Sequence, residues 1–347
     1  MVGHENVPRC LLGMIFFTIF AYMNEDVSIE IVTQSKDLPE MRCLLFFHSI
    51  ELFKIVEETS GQAPFMAIAR RGNRIVGHLL AVIRRRGSLI PPYLFSQGRV
   101  YGEGEYGEGE DKEQIFECML KAITQKLKRR MCLYIEFSNF SSKMFGYRLL
   151  RSEGYVPVRW MEIHISLHSM PPAERLSEKM KKRLQSSLDA GLENKEIETE
   201  EEFHAFYRLL RRFFSLKIRR YLPSKKMFET MRSTDQCKLF VTKYKEKVIG
   251  CSCCLYSGEK AYLWYFASKR KRYPFLHPST NTVWSAIDHA HQQQYGHIFF
   301  MDVGLPFKKN AYRDFILGFG GKEVSKYRWF RFCFPWLNKI VGWFYRE

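Results

Sequence analysis

IFFMDVGLPFKKNAYRDFILGFGG, residues 298–321, decides how this chain is read, because the chain carries a weaker copy of it. The earlier copy is CLYIEFSNFSSKMFGYRLLRSEGY, residues 132–155. Each reads as a short apolar strand ending in a carboxylate, Glu136 in the first copy and Asp302 in the second. A lysine-bearing loop follows, then a Tyr-Arg pair (Tyr147-Arg148, Tyr312-Arg313), an apolar helical turn and a Gly stop. A second echo reinforces the first: FMAIARRGNRIVG (65–77) and KLFVTKYKEKVIG (238–250) are each a strand, a charged turn and a strand reaching Gly. A period this long predicts duplicated domains, since solenoid repeats are far shorter. Two similar domains facing each other predict a cleft between them, a common place for ligands.

Outward from the repeat, the element order recurs. A strand is expected over Asp26–Val32, a helix over LPEMRCLLFFHSIELFKIVEE (38–58), and then the first strand pair. Ile115, Met119, Ile123 and Leu127 recur at spacing four, which predicts an amphipathic helix over Asp111–Arg130. The strand CLYIEF, the Tyr-Arg helix and the strand VPVRWMEIHISL complete the first unit, and Ser169-Met170-Pro171-Pro172 marks a break. The second unit opens with the basic helix SEKMKKRLQSSLDAG and the helix EEEFHAFYRLLRRFFSL. A strand pair, the helix NTVWSAIDHAHQQQ, the strand HIFFMDV, the second Tyr-Arg helix and the strand SKYRWFRF follow. The expected class is α/β, with mixed central sheets flanked by helices. The expected division is an apolar extension over 1–25, one domain over 26–170, a second over 171–335 and an amphipathic tail over 336–347.

At 347 residues, 46% hydrophobic and 15% aromatic, the chain can fill two cores and is not disordered. A net charge of +17 predicts anionic partners: nucleic acid, phosphorylated precursors or an anionic membrane surface. The nine Cys have no disulfide-like spacing, which predicts a reducing compartment and a cytoplasmic protein. Cys251 and Cys253 share one face of a strand and Cys254 takes the other, so no metal site is expected there. The apolar run Cys10–Met23 is shorter than the ~20 residues that span a bilayer. A packed helix, or an upstream extension of a protein starting at Met23, fits it better than a signal peptide or anchor. The tail PWLNKIVGWFYRE is aromatic and basic, and peripheral contact with the inner face of a membrane and a cap on the second domain both fit it.

GEGEYG (102–107) has the GxGxxG spacing, yet Glu103, Glu105, Glu108 and Glu110 would repel a pyrophosphate, so a flexible acidic loop is expected. His289 and His291 lie two apart on a helix and cannot chelate one ion. His48 reads as a cap or a site residue. No nucleophile elbow or P-loop is present. The Asp302 region stands out, because a carboxylate ending an apolar strand is costly unless it is paired or faces a cleft. Lys308, Lys309, Tyr312 and Arg313 follow it, offering cations and a phenol near a carboxylate. A second basic stretch includes Arg183, Arg219 and Arg220, and predicts phosphate contact.

SEKMKKRLQSSLDAGL, the strand pair ending KVIG, HPSTNTVWSAIDHAHQQQYGHIFFMDVG and YRDFILGFGGKEV, in that order, resemble the acyltransferase domain of the FemAB family within the GNAT fold superfamily. The resemblance covers nearly everything after Asp26. It implies two tandem GNAT-like domains around a cleft. It also implies transfer of an acyl or aminoacyl group to an amine, typically on a peptidoglycan, polysaccharide or other envelope precursor. The donor would be acyl-CoA or aminoacyl-tRNA, with no tightly bound cofactor, no metal and no sequence-specific DNA partner. Carried onto this chain, Asp302 would be the polar anchor or base and Tyr312 the proton donor to the leaving group. Lys308, Lys309 and Arg313 would hold phosphates, Asn281 and His277 would line the cleft, and Arg183 and Arg219 would add substrate contacts. Two features depart from the family. Ile316 stands where members often carry Lys. The Gly-rich pyrophosphate loop is replaced by SKRKRYPFLHPSTN, in which Lys269, Arg270, Lys271 and Arg272 supply charge instead of backbone donors. Acyl-CoA-dependent N-acetylation of a sugar amine or small molecule, and a non-catalytic precursor-binding protein, are the alternatives.

Overall fold

The computed structural model describes residues 27–89, 91–215 and 221–345; the apolar extension and Arg219 lie outside the described residues. In chain order the elements of the first half are β1 (Ser28–Val32), α1 (Ile50–Glu57), β2 (Gln62–Arg71), β3 (Arg74–Gly87), β4 (Leu94–Tyr101), β5 (Glu105–Tyr106), α2 (Lys112–Arg129), β6 (Tyr134–Ser138), α3 (Tyr147–Ser152) and β7 (Val156–Ser166). Then come α4 (Pro172–Arg175), α5 (Glu178–Asp189), β8 (Glu193–Glu196), α6 (Glu200–Ser215), α7 (Lys225–Met231), β9 (Cys237–Tyr244), β10 (Lys247–Ser257) and β11 (Lys260–Ser268). The chain closes with α8 (Pro278–Gln292), β12 (His297–Phe300), α9 (Ala311–Leu317), β13 (Lys322–Phe332) and α10 (Pro335–Phe344).

Local chemistry explains most boundaries. The Asp111 carboxylate accepts the Glu113 and Gln114 N–H groups at 3.1 Å each and caps α2, whose apolar positions at spacing four are buried as expected. The helix expected over residues 38–58 is shorter: it runs only over Ile50–Glu57, capped by Ser49 Oγ on the Leu52 N–H at 3.0 Å. Glu105 takes the Leu44 and Leu45 N–H groups at 2.7 and 2.9 Å, so those donors are lost to any helix and the preceding segment runs irregularly. That bond also shows GEGEYG to be an anchor rather than a loose loop; Glu103 likewise binds the Ser141 N–H at 3.0 Å.

The strands form one mixed sheet in the order β1-β2-β3-β4-β6-β13-β7-β12-β11-β10-β9-β8, with β5 added beside β3. The two halves trade strands at its centre. β13, the last strand of the chain, pairs with β6 of the first half, while β7 of the first half pairs with β12. β13 and β7 pair antiparallel with each other along nine residues and form the seam. Only β4/β6 and β11/β12 are parallel among the pairs along this path.

The sheet must curl. β3 and β10 are seven steps apart along the sheet, which would be roughly 34 Å on a flat one. Yet Leu80 and Val82 of β3 share one core with Cys251, Cys253 and Leu255 of β10, together with apolar side chains of α1, α6 and α7. The Phe46 N–H donates to Ser257 Oγ at 2.9 Å, and Phe47 meets Tyr262 edge-on at 5.2 Å between ring centroids. Separate cores lie against α2 in the first half and against α5, α8 and α9 in the second. Cys254 falls in the last of these, across the sheet from Cys251 and Cys253, as the strand alternation requires.

Candidate active site

β11 and β12 run side by side only from Lys260/His297 to Leu263/Phe300. β11 then continues to Ser268, while the segment after β12 turns away at Met301 and Asp302. Asp302 makes that turn with φ 65°, a left-handed conformation that Asp adopts more readily than most residues. The strands therefore part, and a cavity of about 640 Å³ opens where they do.

One wall of the cavity comes from the second half: Trp264, Phe266, Asp302, Lys308, Lys309 and Tyr312. The other comes from the first half and the seam: Arg84, Arg86, Arg99, Tyr101, Glu136 and Arg328. Strand register builds this second wall. Arg84 lies opposite Gln97, Arg99 lies opposite Glu136, and Glu136 lies opposite Phe330, so side chains from neighbouring strands share a face.

The carboxylates of the two sequence copies meet here. Arg328 donates to Asp302 Oδ1 at 2.5 Å and to Glu136 Oε1 at 3.4 Å, with its guanidinium 4.2 Å over the Trp160 ring. Glu136 is also ion-paired with Arg99 and accepts from Gln97 Nε2 at 2.6 Å; Gln97 Oε1 in turn accepts from Arg84 at 2.9 Å. Among the described residues the cavity lining holds six Arg and Lys side chains against two carboxylates, so it suits an anion. Burial pushes the Arg99 guanidinium down to about 10 against the pull of the Tyr101 phenol, which leaves it charged at neutral pH. Burial pushes the Tyr101 hydroxyl up, but Arg99 and Arg84 outweigh it and the net shift is downward. Tyr101 is thereby a more acidic phenol facing the same space.

The loop carrying the lysines is held from behind. Asn310 Oδ1 caps α9 by accepting the Tyr312 N–H at 3.0 Å, and its Nδ2 donates to the Val303 carbonyl at 2.7 Å. Arg313 donates to the Leu305 and Lys308 carbonyls at 3.0 and 3.1 Å and pairs with Glu323 at 3.2 Å.

Of the residues singled out from the sequence, Asp302, Tyr312, Lys308 and Lys309 line the cavity. Arg313 stands behind it as a staple for the lysine loop. His277, Asn281 and Arg183 are not in the lining. His277 begins α8, and burial followed by nearby Arg183 pushes its imidazole down. Asn281 is fully buried and bonded to Asn194, whose Oδ1 accepts from Thr242 at 2.8 Å, so it fixes α8 against β8 and, through Asn194, to β9. His48 is buried and accepts the Leu80 N–H at 3.1 Å. Ile316, at the family's Lys position, is buried in the α9 core, so a cation there would have no solvent. The Phe319-Gly320-Gly321 turn packs instead of facing the cavity: Gly320 has φ 84°, and a Cβ there would sit 2.5 Å from the Arg175 backbone.

Residues 176–309 match the acetyltransferase (GNAT) domain family. No curated protein sequence matches the chain. Its fold is similar to that of FemX (10% identity over 89% of this chain and 96% of that one, TM-score 0.61). It is also similar to a tandem GNAT protein from the clavulanic acid biosynthesis pathway (10% identity, 89% and 99% covered, TM-score 0.57). A C-terminal domain assigned to a lysylphosphatidylglycerol synthetase of Agrobacterium fabrum shares 10% identity, with 76% and 86% covered and a TM-score of 0.53. At such identities the likeness is one of fold. The chain therefore holds an acetyltransferase (GNAT) domain over residues 176–309, within a fold like those of FemX and the tandem GNAT protein.

Proposed function

We propose that the chain transfers an acyl or aminoacyl group to an amine on a phosphorylated acceptor of the cell-envelope precursor class, in the cytoplasm. The observation that carries this reading is the cationic wall across the parted strands: an anion-lined cavity would suit neither a phosphorylated acceptor nor a phosphate-bearing donor. Residues 26–170 and 171–335 act in it as two GNAT-like units that exchange β7 and β13. The donor approaches from the α8 side, where Lys269, Arg270, Lys271 and Arg272 precede a helix N-terminus, a favourable place for phosphates. Acyl-CoA and aminoacyl-tRNA both carry them. The acceptor lies against Arg84, Arg86 and the Lys308-Lys309 pair. The lysylphosphatidylglycerol synthetase likeness favours an acceptor with a phosphate near its reacting group.

In the reaction the amine nitrogen bonds to the carbonyl carbon and the oxyanion gains charge. The amine then loses a proton, and the thiolate or ribose oxygen leaves with one. Asp302, held by Arg328, orients the amine and takes its proton directly or through water. The surrounding cations stabilise the oxyanion. Tyr312, stacked on Phe266 at 6.3 Å, supplies the proton to the leaving group. The test is turnover of purified chain with acetyl-CoA, longer acyl-CoAs and aminoacyl-tRNA, against amines with and without a phosphate. Preference for the phosphorylated amine that Arg84→Ala/Arg86→Ala abolishes supports the reading. Indifference to the phosphate sinks it.

A further inference from the structure

The cavity holds its arginines in two ways. Arg99 and Arg328 are ion-paired with Glu136, and Arg328 also with Asp302, so carboxylates offset the charge of both. Arg84 and Arg86 are held by an amide instead. Gln97 Oε1 accepts from Arg84 Nε at 2.9 Å and from Arg86 Nη1 at 3.2 Å. Gln97 Nε2 donates to Glu136 Oε2 at 2.6 Å. The network fixes the amide one way round: reversed, it would turn its NH2 on two guanidiniums and its oxygen on a carboxylate. Strand order builds the junction. Gln97 lies opposite Arg84 of β3 on one side and opposite Tyr134 of β6, two residues before Glu136, on the other. Gln97 is fully buried and is not in the cavity lining.

An amide orients a guanidinium without neutralising it. Arg84 pairs with no carboxylate among the described residues; its guanidinium lies 4.7 Å over the Tyr221 ring, with Nε taken by Gln97. Its Nη1 and Nη2 have no protein hydrogen bond among the described residues, and neither is sealed from solvent, so both open onto the cavity that Arg84 lines. Two parallel N–H groups on a planar cation make the fork that phosphate oxygens take. A carboxylate in place of the amide would hold the same arginines but cancel their charge, and would meet Glu136 as a like charge.

We propose that Gln97 is a positioning residue for a phosphate subsite, in which it fixes the Arg84 fork, with Arg86 beside it, toward a phosphate or pyrophosphate group of the ligand. Gln97 touches no ligand and acts through the arginines. That this phosphate belongs to the acceptor rests on the functional reading above; the subsite itself does not.

The experiment is calorimetry of the full chain with inorganic pyrophosphate, followed by kinetics with phosphorylated and unphosphorylated amines. Gln97→Met keeps the length of the side chain and removes the amide. It is expected to weaken pyrophosphate binding by about tenfold, since each arginine loses a charged hydrogen bond that holds it. KM for the phosphorylated amine should rise by about the same factor, with kcat and the KM for the unphosphorylated amine held. A merely structural Gln97 would change both amines alike and leave the ratio of their KM values unmoved. Arg84→Lys keeps the charge but not the fork, and should weaken pyrophosphate binding comparably with the interior amide in place; it decides the matter if Gln97→Met does not fold. Crystals grown with pyrophosphate separate the two sources of phosphate. An anion on Arg84 supports the subsite, and an anion confined to Lys269–Arg272, on the donor side, overturns it. Pyrophosphate binding that Gln97→Met and Arg84→Lys leave unchanged overturns it too, as does a wild-type chain that does not bind pyrophosphate. Binding that both variants weaken, in a protein that turns over the two amines equally, supports the subsite while sinking the acceptor assignment.

Discussion

The two halves of the molecule hold the same pair of parallel strands in two states. In the first half, β4 and β6 are paired from Gln97/Tyr134 to Tyr101/Ser138, the ends of both strands. In the second half, β11 and β12 stay together for four residues and part at Asp302. The loops that follow differ in kind as well. After β4 comes the acidic GEGEYGEGED, tied down by its own carboxylates; after β11 comes the basic SKRKRYPFLHP. The second pair of strands parts at a cavity that suits anions, and the first pair, closed to its ends, supplies part of that cavity's wall.

The two echo carboxylates should therefore fail in opposite ways. Glu136 is buried and holds Arg99, so Glu136→Ala strands a buried guanidinium and should cost about 3–5 kcal/mol in chemical unfolding. Replacing both partners, as in Arg99→Met/Glu136→Leu, should restore much of that loss. Asp302, with its side chain 52% exposed, should cost under about 1 kcal/mol as Asp302→Asn, because its end of the pair is solvated and the more buried Arg328 keeps Glu136 as a partner. Its signature is kinetic: a fall of about 10² in kcat with the melting temperature held. A stable Glu136→Ala protein, or a fully active Asp302→Asn protein, would break the comparison.

The loops give a smaller contrast. Arg270→Ala/Lys271→Ala should raise KM for a phosphate-bearing donor by about tenfold with kcat unchanged, the pattern of lost uniform binding. Glu108→Ala, in the corresponding acidic loop, should leave both constants alone. Equal responses would mean that the donor is not read by the second loop.

How much of this was visible in the chain depends on distance along it. The repeat, the α2 helix and the Asp302, Lys308, Lys309 and Tyr312 group are local patterns, and the structure gathers those four in one cavity. The opposing wall was missed because its members lie far apart, from Arg84 to Arg328, and become neighbours only through strand order. The insertion of β13 between β6 and β7 is set by tertiary pairing and leaves no local trace. A signal did exist: Arg84 and Arg86 fall two apart at the end of an apolar strand, and Glu136 sits within another, where a charge needs partners. Arg313 and Asn281 misled for the opposite reason, since buried polar groups that hold backbone or helix look in sequence like groups that hold ligand.

The smallest contrast lies just past the shared Gly of the second echo, where the first half has His78 and the second has Cys251. The Cys251 thiol is pushed up by burial and does not ionise near neutral pH. Burial opposes charge on His78 too, but the nearby Cys43 thiol and the Glu105 carboxylate, 3.5 Å from its Nε2, outweigh it and raise the imidazole to about 9. Its folded value is thus above the unfolded 6.5, so its stabilisation is complete below pH 6.5 and lost as pH rises toward 9. Neighbouring His48, held down to about 3 chiefly by burial, has the opposite sign and acts below pH 6.5, where the unfolded chain takes a proton that the folded one refuses. Above pH 7 His48 is mostly neutral in both states and His78 dominates the slope. Between pH 7 and 8 unfolding free energy should fall by about 1 kcal/mol from this group. Glu105→Gln should flatten that slope by removing one of the two groups that raise the imidazole, while Cys251→Ser should leave it unchanged. An unaltered slope in Glu105→Gln would show that the strap over residues 44–45, not the imidazole, is what Glu105 serves.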